Sequence, residues 1–229
     1  TGAELPVLCD TEPPSAKEIL IGKSTRIPEF DPAVLGEEEY VLRTDGSRLI
    51  IAGGEPRGTL YGVYGLLEDH LGCRWFTPEL ERIPTLKRLV LPKLDEQHVP
   101  VFEYRETYTW ESYDGNWMAR NRLNGAGGRG RLLERQGIRP PVPELDARHG
   151  GSIRFGFGFF VHTMERLVPA KQHFAAHPEY YAVWKGKRSP LQLCCTDEGA
   201  IRLCTEAIRK GMEVARSERI DLIYQNLGP

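Results

Sequence analysis

The stretch that decides the fold is residues 48–78, RLIIAGGEPRGTLYGVYGLLEDHLGCRWFTP. A short apolar run at 49–51 ends in Gly53-Gly54, which is typical of a buried strand followed by a sharp turn. Apolar side chains then recur at the spacing of one helical face, at Leu60, Val63, Leu67 and Leu71. The stretch therefore predicts a strand and then a helix over Arg57–Leu71, closed by Gly72, that packs this apolar stripe on a sheet. Turn and packing geometry explains its glycines better than phosphate binding does.

Other short strands surround this unit. The candidates are Glu18–Gly22, Glu39–Thr44, Leu49–Ala52 and Arg88–Leu91. Asp45-Gly46 separates two of them and is a strong hairpin signal. Strands followed by one packed helix predict a small α+β domain over residues 1–98.

The remainder, residues 99–229, reads as strand, helix, strand, helix, strand. The predicted strands are Val101–Trp110, Ile153–Val161 and Ile220–Tyr224. The predicted helices are Asn116–Asn124, Pro169–His177 and one from Asp197 to about Arg216, capped by Thr196. The last helix carries an apolar stripe at Ile201, Cys204, Ile208 and Met212. The sequence predicts a long loop over residues 125–152 and a hairpin over residues 180–187. This order is typical of a parallel barrel or a doubly wound sheet.

Several motifs together resemble a known family. They are Gly53-Gly54, Arg57-Gly58, the exit Gly72-Cys73-Arg74-Trp75-Phe76, the segment His177-Pro178-Glu179-Tyr180-Tyr181 and Gln192-Leu193-Cys194. The chain resembles domain-of-unknown-function family 4838, and its first part is similar to the domain that precedes the barrel in α-glucuronidases and β-hexosaminidases. The resemblance implies a small N-terminal α+β sandwich followed by a (β/α)₈ barrel. Residues 101–229 amount to about half of the ~250 residues that such a barrel needs. We therefore expect an incomplete, truncated barrel.

Strand polarity selects the candidate site, because barrel active sites lie at the carboxyl ends of the strands. Arg105 and Trp110 lie toward the end of the first predicted strand, His162 ends the second and Asn226 the third. We expect Arg105, His162 and Asn226 to converge on substrate. Arg105 resembles the strand-one arginine that binds sugar hydroxyls in related barrels, and His162 and Gln192 match the family pattern.

Structural alternatives remain for these side chains. Arg105 would equally suit an internal salt bridge with Glu103 or Glu106, and His162 a structural role. Asn121 would donate hydrogen bonds to substrate or cap its helix. Trp110 would stack on a sugar or be buried.

The function implied by the resemblance is that of the N-terminal portion of a glycoside hydrolase acting on polysaccharide or uronic-acid-containing oligosaccharide. Glycoside hydrolysis normally needs two carboxylates flanking the bond, and the sequence shows no convincing pair. The catalytic residues therefore stay unknown. The alternatives are a non-catalytic carbohydrate-binding or interaction module and an inactive fragment.

Composition limits the classes of partner that the chain is expected to bind. A net charge of −2 gives no reason to expect nucleic acid. No apolar run approaches the roughly 20 residues that a membrane helix needs. The five cysteines include no C-x-x-C pair, which argues against a zinc ribbon. We also expect no other metal and no cofactor. The expected partner is carbohydrate, and the open edges of an incomplete barrel predict self-association. Localisation is open; secretion or export to the periplasm with the signal removed is one alternative.

Overall fold

The structure, a computed structural model, describes residues 2–125, 145–153 and 163–217, with side chains as far as residue 213. The strands in this part of the chain are β1 (Ile19–Ile21), β2 (Tyr40–Asp45), β3 (Arg48–Gly53), β4 (Arg74–Trp75), β5 (Glu81–Arg82), β6 (Asp95–His98), β7 (Tyr181–Trp184) and β8 (Lys187–Leu193). The helices are α1 (Gly58–Gly65), α2 (Gly115–Arg120), α3 (Met164–Leu167), α4 (Ala170–His173) and α5 (Glu198–Ser217). The described residues fall into two compact units that meet in sequence at residues 152 and 153. The domain boundary at residue 99 stays a prediction.

The first unit is built on a four-stranded mixed sheet with the order β1-β3-β2-β6. β1 is parallel to β3, whereas β2 is antiparallel to both β3 and β6. The predicted hairpin between β2 and β3 is confirmed, with Gly46 at a φ of 59° in its turn. The strand predicted at Arg88–Leu91 is wrong. The strand that pairs with β2 comes later, at β6, and it follows the buried Leu94, whereas Val90 is exposed.

Alternation along the strands produces two apolar cores, one on each face of the sheet. The face under α1 buries Tyr40, Leu42, Leu49, Ile51, Tyr61, Leu66 and Leu94. The opposite face buries Leu20, Ile27, Phe30, Val41, Ile50 and Ala52. The segment around Ile27 and Phe30 therefore covers the second face, and the first unit is an α+β layer as predicted.

The predicted helix packs on this sheet, but through a different face. α1 continues into a π-helical turn at Leu66–His70, and Gly72 follows at a φ of 72°, the left-handed residue expected after the helix. The residues against the sheet are Gly58, Tyr61, Gly62, Gly65 and Leu66. The expected stripe of Leu60, Val63, Leu67 and Leu71 is only half-buried. The reason is close approach: a Cβ at Gly62 would lie 3.0 Å from the Ile51 side chain.

Of residues 101–110, expected to be the first barrel strand, 101–109 form irregular chain and Trp110 begins a 3₁₀ helix, Trp110–Tyr113. The strand prediction for this segment is wrong, since alternation without a neighbouring strand leaves its backbone groups without a ladder. The expected strands at 153–161 and 220–224 lie largely or wholly outside the described residues, as does most of the 125–152 loop. The described residues contain no closed sheet. What the structure shows is a mixed α+β protein with several small sheets.

The second unit contains α3, α4, the β7–β8 hairpin and α5. The predicted hairpin is confirmed: Lys185 and Gly186 form its turn at φ values of 50° and 77°. Asp197 rather than Thr196 caps α5, since its Oδ1 accepts from Ala200 N at 2.9 Å. The expected stripe on α5 is only partly correct. Ala200, Leu203 and Cys204 face the unit's core, whereas Ile201, Ile208 and Met212 are exposed. Among the described residues, no helix is both long and apolar enough to span a membrane.

Candidate functional site

Arg105, the first of the expected sugar-binding residues, is tied into the first unit by internal contacts. Its Nε donates to Arg122 O at 2.9 Å and its Nη1 to Phe102 O at 2.6 Å. Its Nη2 pairs with the Glu38 carboxylate. The ion-pair alternative is therefore the one that the geometry shows, although the acidic partner is Glu38 and not Glu103 or Glu106.

Glu38 is the centre of a buried polar cluster, which we call the Glu38 cluster: Glu38, Arg57, Arg105 and Asn124. Only 3% of Glu38 is exposed, and its Oε1 lies 2.5 Å from Arg57 Nε. Asn124 Nδ2 donates to both carboxylate oxygens, at 3.1 and 3.0 Å. Glu38 has a φ of 57°, a left-handed conformation that is uncommon outside glycine. This uncommon backbone conformation occurs at the residue whose carboxylate pairs with the guanidinium groups of Arg57 and Arg105.

Arg57 connects the Glu38 cluster to a glycine-rich turn. Its Nη1 donates to Gly150 O at 2.8 Å and to Gly151 O at 3.0 Å. Gly150 has a φ of 79°, and a Cβ there would lie 2.5 Å from Pro56 O. The turn at 150–151 is therefore held directly against the segment that enters α1.

Between these two segments lies a polar cleft of about 310 Å³. We call it the Glu55 cleft. Its lining residues are Glu55, Pro56, Leu60, Ala147, Arg148, His149, Gly150 and Gly151. Glu55 supplies a carboxylate and Arg148 a guanidinium, while Pro56 and Leu60 supply apolar surface. The loop that carries Glu55 follows the carboxyl end of β3, which is parallel to β1.

Charged and buried groups fix the second wall of the cleft. Arg148 Nη2 lies 2.7 Å from Asp146 Oδ2, and hydrogen bonds from Arg148 hold the pKa of the Asp146 carboxyl below its usual range. His149 Nδ1 accepts from Asp146 N at 3.2 Å, and its Nε2 lies 3.0 Å from Asn116 Oδ1. Burial lowers the pKa of His149, so this imidazole is neutral near pH 7. Both ring nitrogens are held by these contacts, which make His149 a positioning residue for the wall.

The other residues expected to bind substrate are not among the residues that line the Glu55 cleft. Trp110 is 67% exposed, with its ring 5.6 Å from that of Tyr113. Asn121 Nδ2 donates to Trp117 O at 2.9 Å, within its own helix end. Gln192 is exposed on β8 in the second unit. His162 and Asn226 lie outside the described residues, so the convergence of Arg105, His162 and Asn226 stays a prediction.

Sequence reasoning missed the Glu55 cleft although a signal was present. The rule that ligand sites follow the carboxyl ends of parallel strands was applied to the expected barrel and not to β3. Applied there, it indicates the segment Gly53-Gly54-Glu55. Glu38 stands between two further glutamates, Glu37 and Glu39, and nothing in the local sequence marks it as the centre of a buried cluster. In the described part of the chain, no group of three or more His, Cys, Asp or Glu is arranged to hold a metal ion.

Comparison with known proteins identifies the family. A family model described as Domain of unknown function (DUF4838) matches residues 75–226, more than half of the chain. No curated protein and no solved structure matches the chain. The resemblance expected from the sequence is thus confirmed at the level of the family, and the chain belongs to the DUF4838 family.

Proposed function

We propose that this chain binds carbohydrate through the Glu55 cleft, as the N-terminal portion of a glycoside-hydrolase-like protein that acts on polysaccharide or uronic-acid-containing oligosaccharide. The observation that carries the proposal is the cleft itself. It is concave, it combines a carboxylate with a guanidinium, and the Glu38 cluster holds one of its walls through Arg57.

The chemistry of the cleft suits a sugar. Glu55 accepts hydrogen bonds from hydroxyl groups, while Arg148 donates several from a planar group. Pro56 and Leu60 offer apolar surface to the C–H face of a sugar ring. A volume of about 310 Å³ lies at the lower end of the range for ligand sites, which favours a short stretch of saccharide.

The cleft supports recognition more than bond cleavage. Among the lining residues that the structure describes, Glu55 supplies one carboxylate, whereas glycoside hydrolysis normally uses two. In the hydrolase hypothesis the catalytic pair lies elsewhere in the full protein. The lone carboxylate favours the second candidate, a non-catalytic carbohydrate-binding module.

A barrel beginning near residue 99 is part of the same proposal. Val101, Phe102 and Tyr108 are exposed in irregular chain, and Trp110 is exposed at the start of a 3₁₀ helix. No strand forms there in this structure; pairing with further strands, in the full protein or by self-association, would make the segment extended and bury Phe102, Tyr108 and Trp110 on one side of it. Amide hydrogen exchange of residues 101–110 tests this: protection that rises with protein concentration supports strand pairing, and fast exchange at every concentration contradicts self-association through this segment.

The binding experiment is calorimetric titration of the chain with neutral and uronic-acid-containing oligosaccharides. We expect Glu55→Gln to weaken binding by about 1 kcal/mol, since Glu55 is exposed and the amide replaces a charged hydrogen-bond acceptor by a neutral one. Trp110→Ala tests the predicted stacking residue in parallel. Glu29→Gln, at an exposed glutamate away from the lining residues, is the matched control and should not alter affinity. Equal affinities of the wild type, Glu55→Gln and Glu29→Gln would refute the assignment of the cleft.

A further inference from the structure

The tip of the β7–β8 hairpin in the second unit combines an exposed aromatic ring with clustered positive charge. Trp184 is 65% exposed and pairs in register with Lys187 across the hairpin. Lys185 lies in the turn between them, and both lysines are exposed. Because residues directly opposite in a hairpin share a face, the indole and the Lys187 ammonium lie on the same side.

The backbone holds this arrangement in one geometry. Lys185 and Gly186 both have positive φ, the signature of a tight two-residue turn that matches the twist of the strands. Arg188 Nη1 donates to Tyr181 O at 2.7 Å, so the strand next to the tip is braced by a side chain as well. The turn therefore presents Trp184, Lys185 and Lys187 as a preformed surface.

The charge at the tip differs in sign from that of the whole chain. The net charge of the chain is −2, yet Lys185, Lys187 and Arg188 follow one another closely at the tip. The nearby carboxylate of Glu179 is already hydrogen-bonded by His177, 2.9 Å away. No salt bridge to Lys185 or Lys187 is present in the part of the chain that the structure describes.

We propose that the hairpin tip formed by Trp184, Lys185 and Lys187 is a second carbohydrate-binding surface, which selects acidic polysaccharide. Trp184 receives the apolar face of a sugar ring, and the two lysines pair with carboxylates on the neighbouring sugars. This inference rests on the proposed function and deepens it by naming an anionic glycan as the substrate class. Duplex DNA is the less suitable polyanion, because its bases are stacked on one another inside the helix and offer Trp184 no free ring face.

The test measures binding of the whole chain to polygalacturonate, to dextran and to duplex DNA at low and high salt. We expect polygalacturonate to bind more tightly than dextran, with a preference that disappears at high salt because the lysines are exposed. Trp184→Ala should weaken polygalacturonate binding about two- to tenfold, the range of one aromatic contact. Lys185→Gln/Lys187→Gln should remove the preference for polygalacturonate. The control, Lys171→Gln/Lys210→Gln, removes two exposed charges from the same unit and should leave it intact.

The outcomes separate this inference from the proposed function. Dextran binding that Glu55→Gln weakens, with no preference for polygalacturonate, supports the Glu55 cleft and overturns the hairpin-tip surface. Tighter binding of DNA than of polygalacturonate also overturns it, as does an equal loss in the control variant. Binding of no polysaccharide at all refutes both proposals. Folding of each variant is checked by circular dichroism, so that a loss of binding cannot arise from unfolding.

Discussion

The substitution Glu38→Gln tests whether the Glu38 cluster holds the first unit together. The side chain of Glu38 is 4% exposed and that of Arg57 is 0% exposed, with 2.5 Å between Glu38 Oε1 and Arg57 Nε. The amide keeps the shape of the carboxylate but removes its charge and replaces one acceptor by a donor. Both guanidinium groups and the Asn124 amide are donors, so the new NH₂ group faces donors on every side.

The magnitude follows from this geometry. Removing one partner of a buried ion pair costs about 3–5 kcal/mol, because the remaining charge stays buried without compensation. For a protein of this size each kcal/mol corresponds to about 2–4 °C in Tm. The expected fall in Tm is therefore about 6–20 °C. The loss of about 3–5 kcal/mol is a large fraction of the ~5–15 kcal/mol by which a typical domain is stable.

The assay is chemical and thermal unfolding followed by circular dichroism. Asp95→Asn is the matched control, since it breaks the exposed Arg43–Asp95 pair at 2.7 Å and should cost less than about 1 kcal/mol. The double variant Glu38→Gln/Arg57→Met should recover part of the loss, because it removes the stranded charge as well. If Glu38→Gln and Asp95→Asn were equally stable, the cluster would not be the buried centre described above.

Three further predictions concern packing, pH and activity. Gly58→Ala should destabilise by about 1–3 kcal/mol, since its Cβ would lie 2.3 Å from the Glu39 carbonyl oxygen; unfolding of Thr59→Ala is the comparison. Hydrogen bonds from His98 and His70, at 3.1 and 3.2 Å, lower the pKa of Glu96 in the folded state. Glu96 therefore stabilises the fold above pH ~4.3, and this stabilisation is lost as the pH falls through the lower folded-state pKa. Glu96→Gln should flatten this part of the pH–stability curve, and an unchanged slope would contradict the prediction. The chain alone should not hydrolyse aryl glycosides, and turnover abolished by Glu55→Gln would show that the cleft is catalytic.

The elements that sequence predicts well are those whose residues contact their sequence neighbours. The β2–β3 hairpin depends on Gly46, the β7–β8 hairpin on Gly186, and the end of the first helix on Gly72. Each glycine sits at a positive φ that its local turn requires. These features need no knowledge of distant residues, and each was predicted in place.

The features that sequence predicts poorly depend on long-range contacts. Glu38 meets Arg105, 67 residues away, and Asn124, 86 residues away. Nothing local distinguishes Glu38 from its acidic neighbours. Helix α1 faces the sheet through its glycines and Tyr61, because the glycines allow a close approach; Leu60 and Val63 are left half-buried. Alternation predicted a strand at 101–110 that does not form, since a strand exists only where another one pairs with it.

The measurement that tests the central claim most directly is nuclear magnetic resonance titration of the ¹⁵N-labelled chain with a uronic-acid-containing oligosaccharide. The proposal predicts saturable chemical-shift changes at the amides of Glu55 and of residues 147–151, which line the cleft. It predicts that Glu55→Gln weakens these changes and that Glu29→Gln does not. Saturable shifts confined to other parts of the chain, or no shifts at millimolar saccharide, would contradict carbohydrate binding in the Glu55 cleft.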